Sequence, residues 1–513
     1  MTNYQFTGGT ICAPATIPGT GAISIIRVSG NEALAIADKV IDTNGAPIAE
    51  TEGYRLRYGT VLEADGSVLD NVIVSVFRAP HSYTGENSVE ISCHASRFIV
   101  NKILELLVNA GARIAAPGEF TRRAFVNGKM DLAQAEAVAD VIASQSAASH
   151  RVAMNQLKGG FSSELKVLRE KLLTMTSLLE LELDFSEEDV EFASRKELGQ
   201  LVDDSLTHIG RLTASFSRGN AIKNGVPVAI VGATNTGKST LLNALLGEER
   251  AIVSDIAGTT RDTIEETLNI DGILFRFIDT AGIRETDETI EKIGIDRTFK
   301  KLGEAAVVLG MTDLSRGEAA VLEDADFILS KVNEMGGTSQ HGYGDGQERK
   351  VVILVNKCDI AGSFYGDDNG TGDGSGNDLG ENMAEIGGNK NVNRDNNIVS
   401  LIENKYDNCK VIPICAKTGK GLSTLTKTLG EIGSEITGST DETLVTNVRH
   451  YEALVRAASA LERVRAGLHI ATLPPDLIAQ DLREALYHLG EIVGEISTDE
   501  TLGNIFRNFC IGK

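Results

Sequence analysis

The sequence predicts a multidomain protein with an N-terminal α/β domain, a helical domain that is discontinuous in the chain, and a doubly wound α/β domain inserted into it. Three observations predict this arrangement. Strand-like and turn-like patterns alternate up to about residue 120, helical patterns occupy residues from about 132 to 218 and again after about 444, and apolar strands alternate with helices in between. A chain of 513 residues also exceeds the roughly 250 to 300 residues that one hydrophobic core organises.

Composition excludes several classes of protein. Apolar residues make up 42% and charged residues 24% of the chain. No stretch reaches the ~18 uninterrupted apolar residues that a membrane-spanning helix needs. The first residues, Met1-Thr-Asn-Tyr-Gln-Phe6, have neither the basic region nor the apolar run of a secretory signal, so we expect a cytoplasmic protein without membrane attachment. The six cysteines lack the C-x-x-C spacing of a zinc site or redox pair.

The formal charge of −23 argues against a general nucleic-acid coat, because such proteins usually carry a basic excess. A local basic group is nevertheless present, and its members are Arg113, Arg122, Arg123, Lys129, Arg151 and Lys158. For each member we expect a solvated surface position, with a nucleic-acid contact as the alternative.

The N-terminal domain is predicted to span residues 1–126. Apolar, β-branched runs at residues 22–28, 71–77 and 89–93 predict strands. An amphipathic pattern over residues 95–108 predicts the helix that covers them. Together these elements indicate a small α/β domain.

The helical domain is predicted from two stretches, residues 127–222 and 437–513. Both are rich in Ala, Leu, Glu and Ser, and the first is almost free of Gly and Pro except at Gly159-Gly160. Because the two stretches share this composition, we expect them to form one domain, with residues 223–436 inserted between them.

Two segments of the inserted domain break its α/β pattern. They lie near residues 334–349 and 361–397, and the second contains Gly366-Asp-Asp-Asn-Gly-Thr-Gly-Asp-Gly-Ser-Gly376. Their low hydrophobicity cannot offset the entropy of ordering the chain, so we interpret both as mobile surface insertions.

A phosphate-binding loop begins the inserted domain. The sequence Gly232-Ala-Thr-Asn-Thr-Gly-Lys-Ser239 follows an apolar strand at 226–231 and precedes a helix at 240–246. Glycines let backbone N–H groups converge on phosphate oxygens, and a helix N-terminus favours anions. Lys238 would place a catalytic point charge at the β/γ-phosphates, and Ser239 would ligate Mg²⁺.

Two further motifs are expected at the γ-phosphate. Asp279-Thr-Ala-Gly282 follows the strand at 273–278, which places Asp279 near the Mg²⁺ shell and the Gly282 amide near the phosphate. Between the loop and this motif, Gly258-Thr-Thr-Arg-Asp262 offers Thr260 as a second Mg²⁺ ligand.

Base identity is indicated by Asn356-Lys-Cys-Asp359, which follows an apolar strand at 351–355. The Asp359 carboxylate can accept from the ring N–H and the exocyclic amine of guanine, and adenine has no such donor pair. Cys415-Ala-Lys417, after a strand at 411–414, resembles the last guanine motif, usually Ser-Ala-Lys. Five motifs in this order predict a P-loop GTPase domain with GTP as its substrate.

The hydrolytic machinery is less complete in the sequence. Ile283 follows Gly282 where many GTPases carry the glutamine that orients water. Glu291 is a candidate for that role, and an exposed helix glutamate is the alternative interpretation. The positive charge that phosphoryl transfer requires could come from Arg261, Arg284 or a monovalent cation.

Segments along the whole chain resemble one family, the MnmE (TrmE) family of bacterial tRNA-modification GTPases. The matching segments are Gly21–Gly30, Ser82–Glu86, Pro117–Phe125, Asn127–Glu136, Leu183–Asp189, Asp279–Glu285 and Cys510–Lys513. The chain departs from the usual pattern at Thr234, where the family has Pro, at Cys415, where it has Ser, and in the 361–397 insertion.

The resemblance implies particular ligands for both α/β domains. The N-terminal domain would bind a tetrahydrofolate derivative (5-formyl or methylene) through Arg27, Glu90, Lys129 and Lys513. Potassium would be held by Asn235 with backbone oxygens of Ser254, Ile256 and Thr259, and Glu291 would orient the attacking water. The residues then expected to bind GTP are Asn235, Thr236, Gly237, Lys238, Ser239, Thr240, Ser254, Asp255, Ile256, Ala257, Gly258, Thr259, Thr260, Asp279, Thr280, Ala281, Gly282, Asn356, Lys357, Asp359, Cys415, Ala416 and Lys417.

The resemblance also implies a homodimer and an FAD-containing partner resembling MnmG. Together they would add a carboxymethylaminomethyl or aminomethyl group at C5 of the wobble uridine of certain tRNAs, with GTP hydrolysis driving a conformational cycle. The competing hypothesis is a GTP-dependent ribosome-assembly switch of the Era/EngA kind. Those proteins share the GTPase domain but not the N-terminal segments.

Overall fold

The computed structural model describes residues 8–63, 65–184, 194–249, 266–278, 305–335, 349–359, 392–406, 409–438, 442–470, 474–496, 499–507, 509 and 512. The chain divides into two compact units. The first contains Met1–Ala143, Ala153–Thr213 and Val448–Lys513, and the second contains Ser144–Val152 and Ala214–Asn447. The second unit therefore encloses the predicted 223–436 domain and extends past it at both ends.

The described strands are β1 (Ile11–Pro14), β2 (Ile23–Ser29), β3 (Ile41–Asp42), β4 (Arg55–Leu62), β5 (Val68–Phe77), β6 (Ser88–His94), β7 (Arg113–Ile114), β8 (Val226–Gly232), β9 (Glu266–Ile270), β10 (Ile273–Ile278), β11 (Val307–Asp313), β12 (Lys350–Asn356) and β13 (Cys409–Pro413). The described helices are α1 (Ala33–Val40), α2 (Arg97–Asn109), α3 (Glu119–Val126), α4 (Leu132–Ala143), α5 (Ala147–Leu157), α6 (Gly160–Asp184), α7 (Arg195–Ala214), α8 (Phe216–Asn224), α9 (Lys238–Glu249), α10 (Glu318–Met335), α11 (Val392–Lys405), α12 (Leu422–Thr437), α13 (Val448–Leu468), α14 (Pro475–Val493) and α15 (Asp499–Arg507).

The N-terminal part of the first unit is a seven-stranded sheet in the order β3-β4-β5-β6-β2-β1-β7. Side chains of β5 alternate between the two faces of the sheet, so Val72, Val74 and Val76 are buried in one core with α1 and α2. The strands predicted at 22–28, 71–77 and 89–93 and the helix predicted at 95–108 are confirmed to within three residues at each end.

A buried ion cluster joins two of the segments that carry the family resemblance. The Arg123 guanidinium, 2% exposed, donates from Nη1 to both Glu86 carboxylate oxygens at 3.1 and 3.0 Å. Its Nη2 donates to Glu119 Oε1 at 3.0 Å and to the Gly9 carbonyl at 2.8 Å. Ser29 Oγ donates to Glu86 Oε2 at 2.8 Å. The expected solvated position of Arg123 is therefore wrong, because two carboxylates compensate its desolvation.

Glu119 completes the cluster with a second guanidinium. Arg113 Nη1 donates to Glu119 Oε2 at 2.8 Å, and the Ala116 N–H donates to the same oxygen at 2.9 Å. Burial favours the neutral acid, but the hydrogen bonds from Arg113, Ala116 and Arg123 hold the pKa of Glu119 below its usual value. Glu119 is therefore ionised at neutral pH.

Helices from both helical stretches pack together in the first unit, as the shared composition predicted. Helices α13 and α14 pack on each other, and α14 packs on α6 and α4. Glu136 on α4 accepts from Arg449 Nε at 2.9 Å and lies 2.6 Å from His450 Nε2, both on α13. Burial opposes ionisation of Glu136, but the charges of His450 and Arg449 lower its pKa to about 2. This ion cluster links the stretches before and after the inserted domain.

The second unit contains a six-stranded sheet in the order β13-β12-β11-β8-β10-β9, parallel except for the edge strand β9. Leu241 of α9 and Leu425 of α12 lie in the core on one side of the sheet. Val321 of α10 and Ile402 of α11 lie in the core on the other. This is the predicted doubly wound arrangement.

Each predicted insertion overlaps the end of a described helix. The second insertion was expected to end at Asn397, but α11 begins at Val392, so residues 392–397 are helical. The first turns of this helix are rich in Asn and show no helical hydrophobic pattern. The apolar residues that pack on the core, such as the buried Ile402, lie nearer its C-terminal end. In the first insertion, residues 334 and 335 end α10 and residue 349 precedes β12. Residues 336–348 and 361–391 of the two predicted insertions lie outside the described residues.

No helix among the described residues is both long and apolar enough to cross a bilayer.

Candidate functional site

The nucleotide motifs meet at one edge of the second sheet. Gly232 at the end of β8 pairs with Met311 of β11, Asp313 of β11 pairs with Asn356 of β12, and Val355 pairs with Pro413 of β13. These positions are carboxyl ends of adjacent parallel strands, where doubly wound sheets bind ligands. The structure therefore places the phosphate loop and the base motifs at the same edge of the sheet.

The phosphate loop is shaped by glycines that no other residue could replace without strain. Gly237 has φ +99°, and a Cβ there would lie 2.5 Å from Asn356 Nδ2. A Cβ on Gly232 would lie 2.3 Å from the Met311 carbonyl oxygen. Asn235, at the exposed tip between them, also has positive φ, at +61°. The loop keeps its backbone open to an anion, which fits a phosphate.

Lys238 stabilises the loop from within. Its Nζ donates to the carbonyls of Gly232 at 2.9 Å and Ala233 at 2.8 Å, and Thr236 Oγ1 also donates to Ala233, at 2.9 Å. Burial lowers the pKa of the Lys238 ammonium. The ammonium thus lies inside the loop that phosphate oxygens would enter, and Ser239 follows it in the first turn of α9.

Asn356 connects the phosphate loop to both base motifs. Its side chain is buried, its Nδ2 donates to the Thr236 carbonyl at 2.7 Å, and its Oδ1 accepts from the Ala416 N–H at 3.0 Å. One amide therefore fixes the distance between the expected phosphate and guanine contacts. Asp359, three residues later, is exposed and open to a ligand.

Cys415 is buried, and its backbone, not its thiol, shapes the last motif. The Cys415 N–H donates to the Lys420 carbonyl at 2.9 Å, and the Cys415 carbonyl accepts from Gly419 N–H at 3.0 Å. These bonds hold Ala416 and Lys417 in a tight turn beside Asn356. The Ser-to-Cys departure therefore leaves the backbone contacts of the motif in place.

The described folate candidates in the first unit have different partners. Arg27 and Glu90 pair across β2 and β6, with Arg27 Nε donating to Glu90 Oε1 at 2.9 Å. The Arg27 guanidinium lies 5.1 Å from the Tyr83 ring centre, and its Nη1 donates to the Gly512 carbonyl at 3.5 Å. Lys129 Nζ instead donates to the Pro80 carbonyl at 3.0 Å. Lys513 lies outside the described residues.

Two family models match the chain. "GTP-binding protein TrmE N-terminus" matches residues 10–129, and "MnmE helical domain" matches residues 132–510. The chain belongs to the MnmE family. Proteins named tRNA modification GTPase MnmE from Parabacteroides distasonis (47% identical, 98% of this chain and 100% of that protein) and Bacteroides thetaiotaomicron (47%, 98% and 99%) are similar to it. A third relative of this name, from Bacteroides fragilis, is 48% identical over 98% of this chain and 99% of its own length.

Several residues expected to act in an MnmE-family protein lie outside the described residues. They are the loop Ser254–Thr260, the motif Asp279–Gly282, Arg261, Arg284 and Glu291. Of the expected metal ligands, the structure therefore places Ser239 and Asn235.

Sequence reasoning missed Asp313 in this MnmE-family site. Asp313 ends β11, and its Oδ2 accepts from Lys357 Nζ at 2.6 Å. The signal was available, because Asp313 follows an apolar run at the same strand end as the known motifs.

Proposed function

We propose that this chain is a GTP hydrolase that takes part in tRNA modification in the cytoplasm. The observation that carries the proposal is the Asn356 side chain, which joins the phosphate loop at Thr236 to the base motif at Ala416. A nucleotide held by this arrangement presents its base to Asp359 while its phosphates lie over Lys238. The relatives, named tRNA modification GTPases, match 98% of the chain, which supports the same activity.

For hydrolysis, we propose that Ser239 and Thr260 hold Mg²⁺ and that Asn235, with backbone oxygens of Ser254, Ile256 and Thr259, holds K⁺. Asn235 is exposed at the loop tip, so its side-chain amide oxygen can serve as a ligand for a cation that prefers oxygen ligands. These ions would supply positive charge to the transferring phosphoryl group. Lys238 adds its ammonium on the loop side, and Glu291 orients the attacking water.

Potassium is expected to accelerate GTP turnover relative to sodium at equal ionic strength, by about tenfold or more, the scale of one charge stabiliser. Asn235→Ala should remove most of this difference and leave GDP affinity within about threefold. Steady-state phosphate release in the two salts measures both effects. Equal wild-type rates in the two salts would contradict the cation proposal and leave the GTPase proposal standing.

For the modification, we propose that the chain acts as a homodimer with an FAD-containing partner resembling MnmG. The product would carry a carboxymethylaminomethyl or aminomethyl group at C5 of the wobble uridine of certain tRNAs. A 5-formyl or methylene tetrahydrofolate would be the one-carbon donor, at Arg27, Glu90, Lys129 and Lys513. The Arg27–Glu90 pair, with the Tyr83 and Phe120 rings beside it, supports a flat, hydrogen-bonding ligand.

Deleting the gene is expected to remove this modified uridine from bulk tRNA, measured by mass analysis of digested nucleosides. Wild-type chain should restore it. Asp359→Asn should not restore it, because this variant is expected to lose GTP binding. If the deletion strain kept the same level of modified uridine as the parent strain, the tRNA role would be ruled out and the Era/EngA-type ribosome-assembly alternative would be favoured.

A further inference from the structure

The strand between the phosphate loop and the base motif ends in a charged residue that the guanine motifs do not include. Those motifs follow β8, β10, β12 and β13, whereas β11 lies between β8 and β12 in the sheet. A nucleotide that contacts both the phosphate loop and Asp359 must cross the end of β11. Asp313 occupies that end, directly opposite Asn356 in the register.

Asp313 is held on both carboxylate oxygens. Its Oδ1 accepts from the Ser315 N–H at 2.9 Å and Ser315 Oγ at 2.6 Å, and its Oδ2 accepts from Lys357 Nζ at 2.6 Å. Its side chain is 7% exposed, and that of Lys357 is 32% exposed. Burial opposes ionisation, but the hydrogen bonds from Lys357 and Ser315 keep the pKa of Asp313 below its usual value.

The ion pair determines the direction of the Lys357 side chain. Lys357 has φ +64°, and its stem runs from the end of β12 to the end of β11. An unpaired lysine would sample many rotamers of its four-carbon stem, and a ligand that ordered the stem would have to offset this entropy. The Asp313 carboxylate removes that freedom before a ligand arrives.

We propose that Asp313 is a positioning residue for guanine-nucleotide binding: it fixes the Lys357 stem along the strand ends as a preformed apolar surface for the base. This inference rests on the proposed GTP-binding function. The methylene groups of the Lys357 stem, lying along this edge, can make apolar contact with the flat face of a base. The charged end of the side chain meanwhile stays paired with Asp313. Preorganisation of this kind increases affinity by removing an ordering cost from binding.

Asp313→Asn tests the proposal in the full-length chain. The variant keeps an acceptor for Ser315 and loses the charge that holds Lys357. We expect Kd for GDP and for a non-hydrolysable GTP analogue to rise by the same factor, about tenfold, because the base is common to both. KM for GTP should rise similarly, and kcat should change less than twofold. Titration calorimetry and steady-state turnover measure these values.

Matched controls separate the proposed role from general stability. Asp326→Asn removes an ion pair of the same 2.6 Å length, to Lys405, and Ser315→Ala removes a hydrogen bond to Asp313 without touching Lys357. Both should leave Kd within about twofold. If Asp313→Asn does not fold, as judged by circular dichroism, Lys357→Met provides the same measurement at a half-exposed position.

A double-mutant cycle gives the decisive outcome. The effects of Asp313→Asn and Lys357→Met on GDP binding should be non-additive. The double variant should have a Kd for GDP no higher than that of the single variant with the larger effect. The inference would be overturned by any of three results: an unchanged Kd in Asp313→Asn, additive effects of the two substitutions, or a Kd that rises for the GTP analogue but not for GDP. A wild-type chain that binds no guanine nucleotide would instead overturn the proposed function.

Discussion

Arg123→Ala is expected to lower the free energy of unfolding of the N-terminal sheet by about 3–5 kcal/mol, the cost of removing one partner from a buried ion pair. The guanidinium donates to Glu86, Glu119 and the Gly9 carbonyl. Its removal takes a cationic partner from the buried Glu119 carboxylate and the partly exposed Glu86 carboxylate, and the Gly9 carbonyl loses this donor. Glu119 retains Arg113, whereas the Glu86 carboxylate retains only the Ser29 hydroxyl among the donors described for it.

Hydrogen–deuterium exchange of β2 and β6 amides in the full-length chain would measure this effect where global unfolding is not two-state. Arg55→Ala is the matched control, since its ion pair with Glu52 in the same domain is exposed at both side chains and should change stability by less than about 1 kcal/mol. Equal exchange protection in the two variants would show that the cluster around Arg123 does not stabilise the sheet.

Asp359→Asn is expected to weaken GTP binding by about 100-fold or more, because a carboxylate that accepts from two guanine donors becomes an amide with one acceptor. The same variant should gain affinity for xanthosine triphosphate, whose extra carbonyl can accept from the new amide N–H. Asn356 is untouched, so the phosphate loop and the base motif should keep their spacing.

Competition binding with GTP, XTP and ATP would measure the change in base preference. Glu431→Gln replaces an exposed carboxylate of the same domain, paired with Lys410, and should leave all three affinities within about twofold. Loss of GTP binding without any gain for XTP would indicate a folding defect instead of altered base recognition. Unchanged GTP binding would remove Asp359 from the base site.

Asn356 and Asp313 differ in how far their local sequence predicts their contacts. Asn356 was predicted to bind the nucleotide from its motif alone, and the structure adds that it bridges Thr236 and Ala416. Asp313 belongs to no motif, so its pairing with Lys357 appears only when β11 and β12 are aligned. Motifs reveal residues close in sequence, whereas partners 44 positions apart are revealed by strand register.

The sequence alone determined the fold class with its inserted α/β domain, the positions of seven described strands and two described helices, and the nucleotide motifs of this protein. These features depend on hydrophobic period and on short spacings, which are local properties of the chain. Only the tertiary structure decided that Arg123 is buried, that α11 begins at Val392 and that Asp313 pairs with Lys357. For Arg123 and Asp313, residues distant in the chain compensate the desolvation of a charge, and for α11 they cover an apolar face. The local sequence does not specify those contacts.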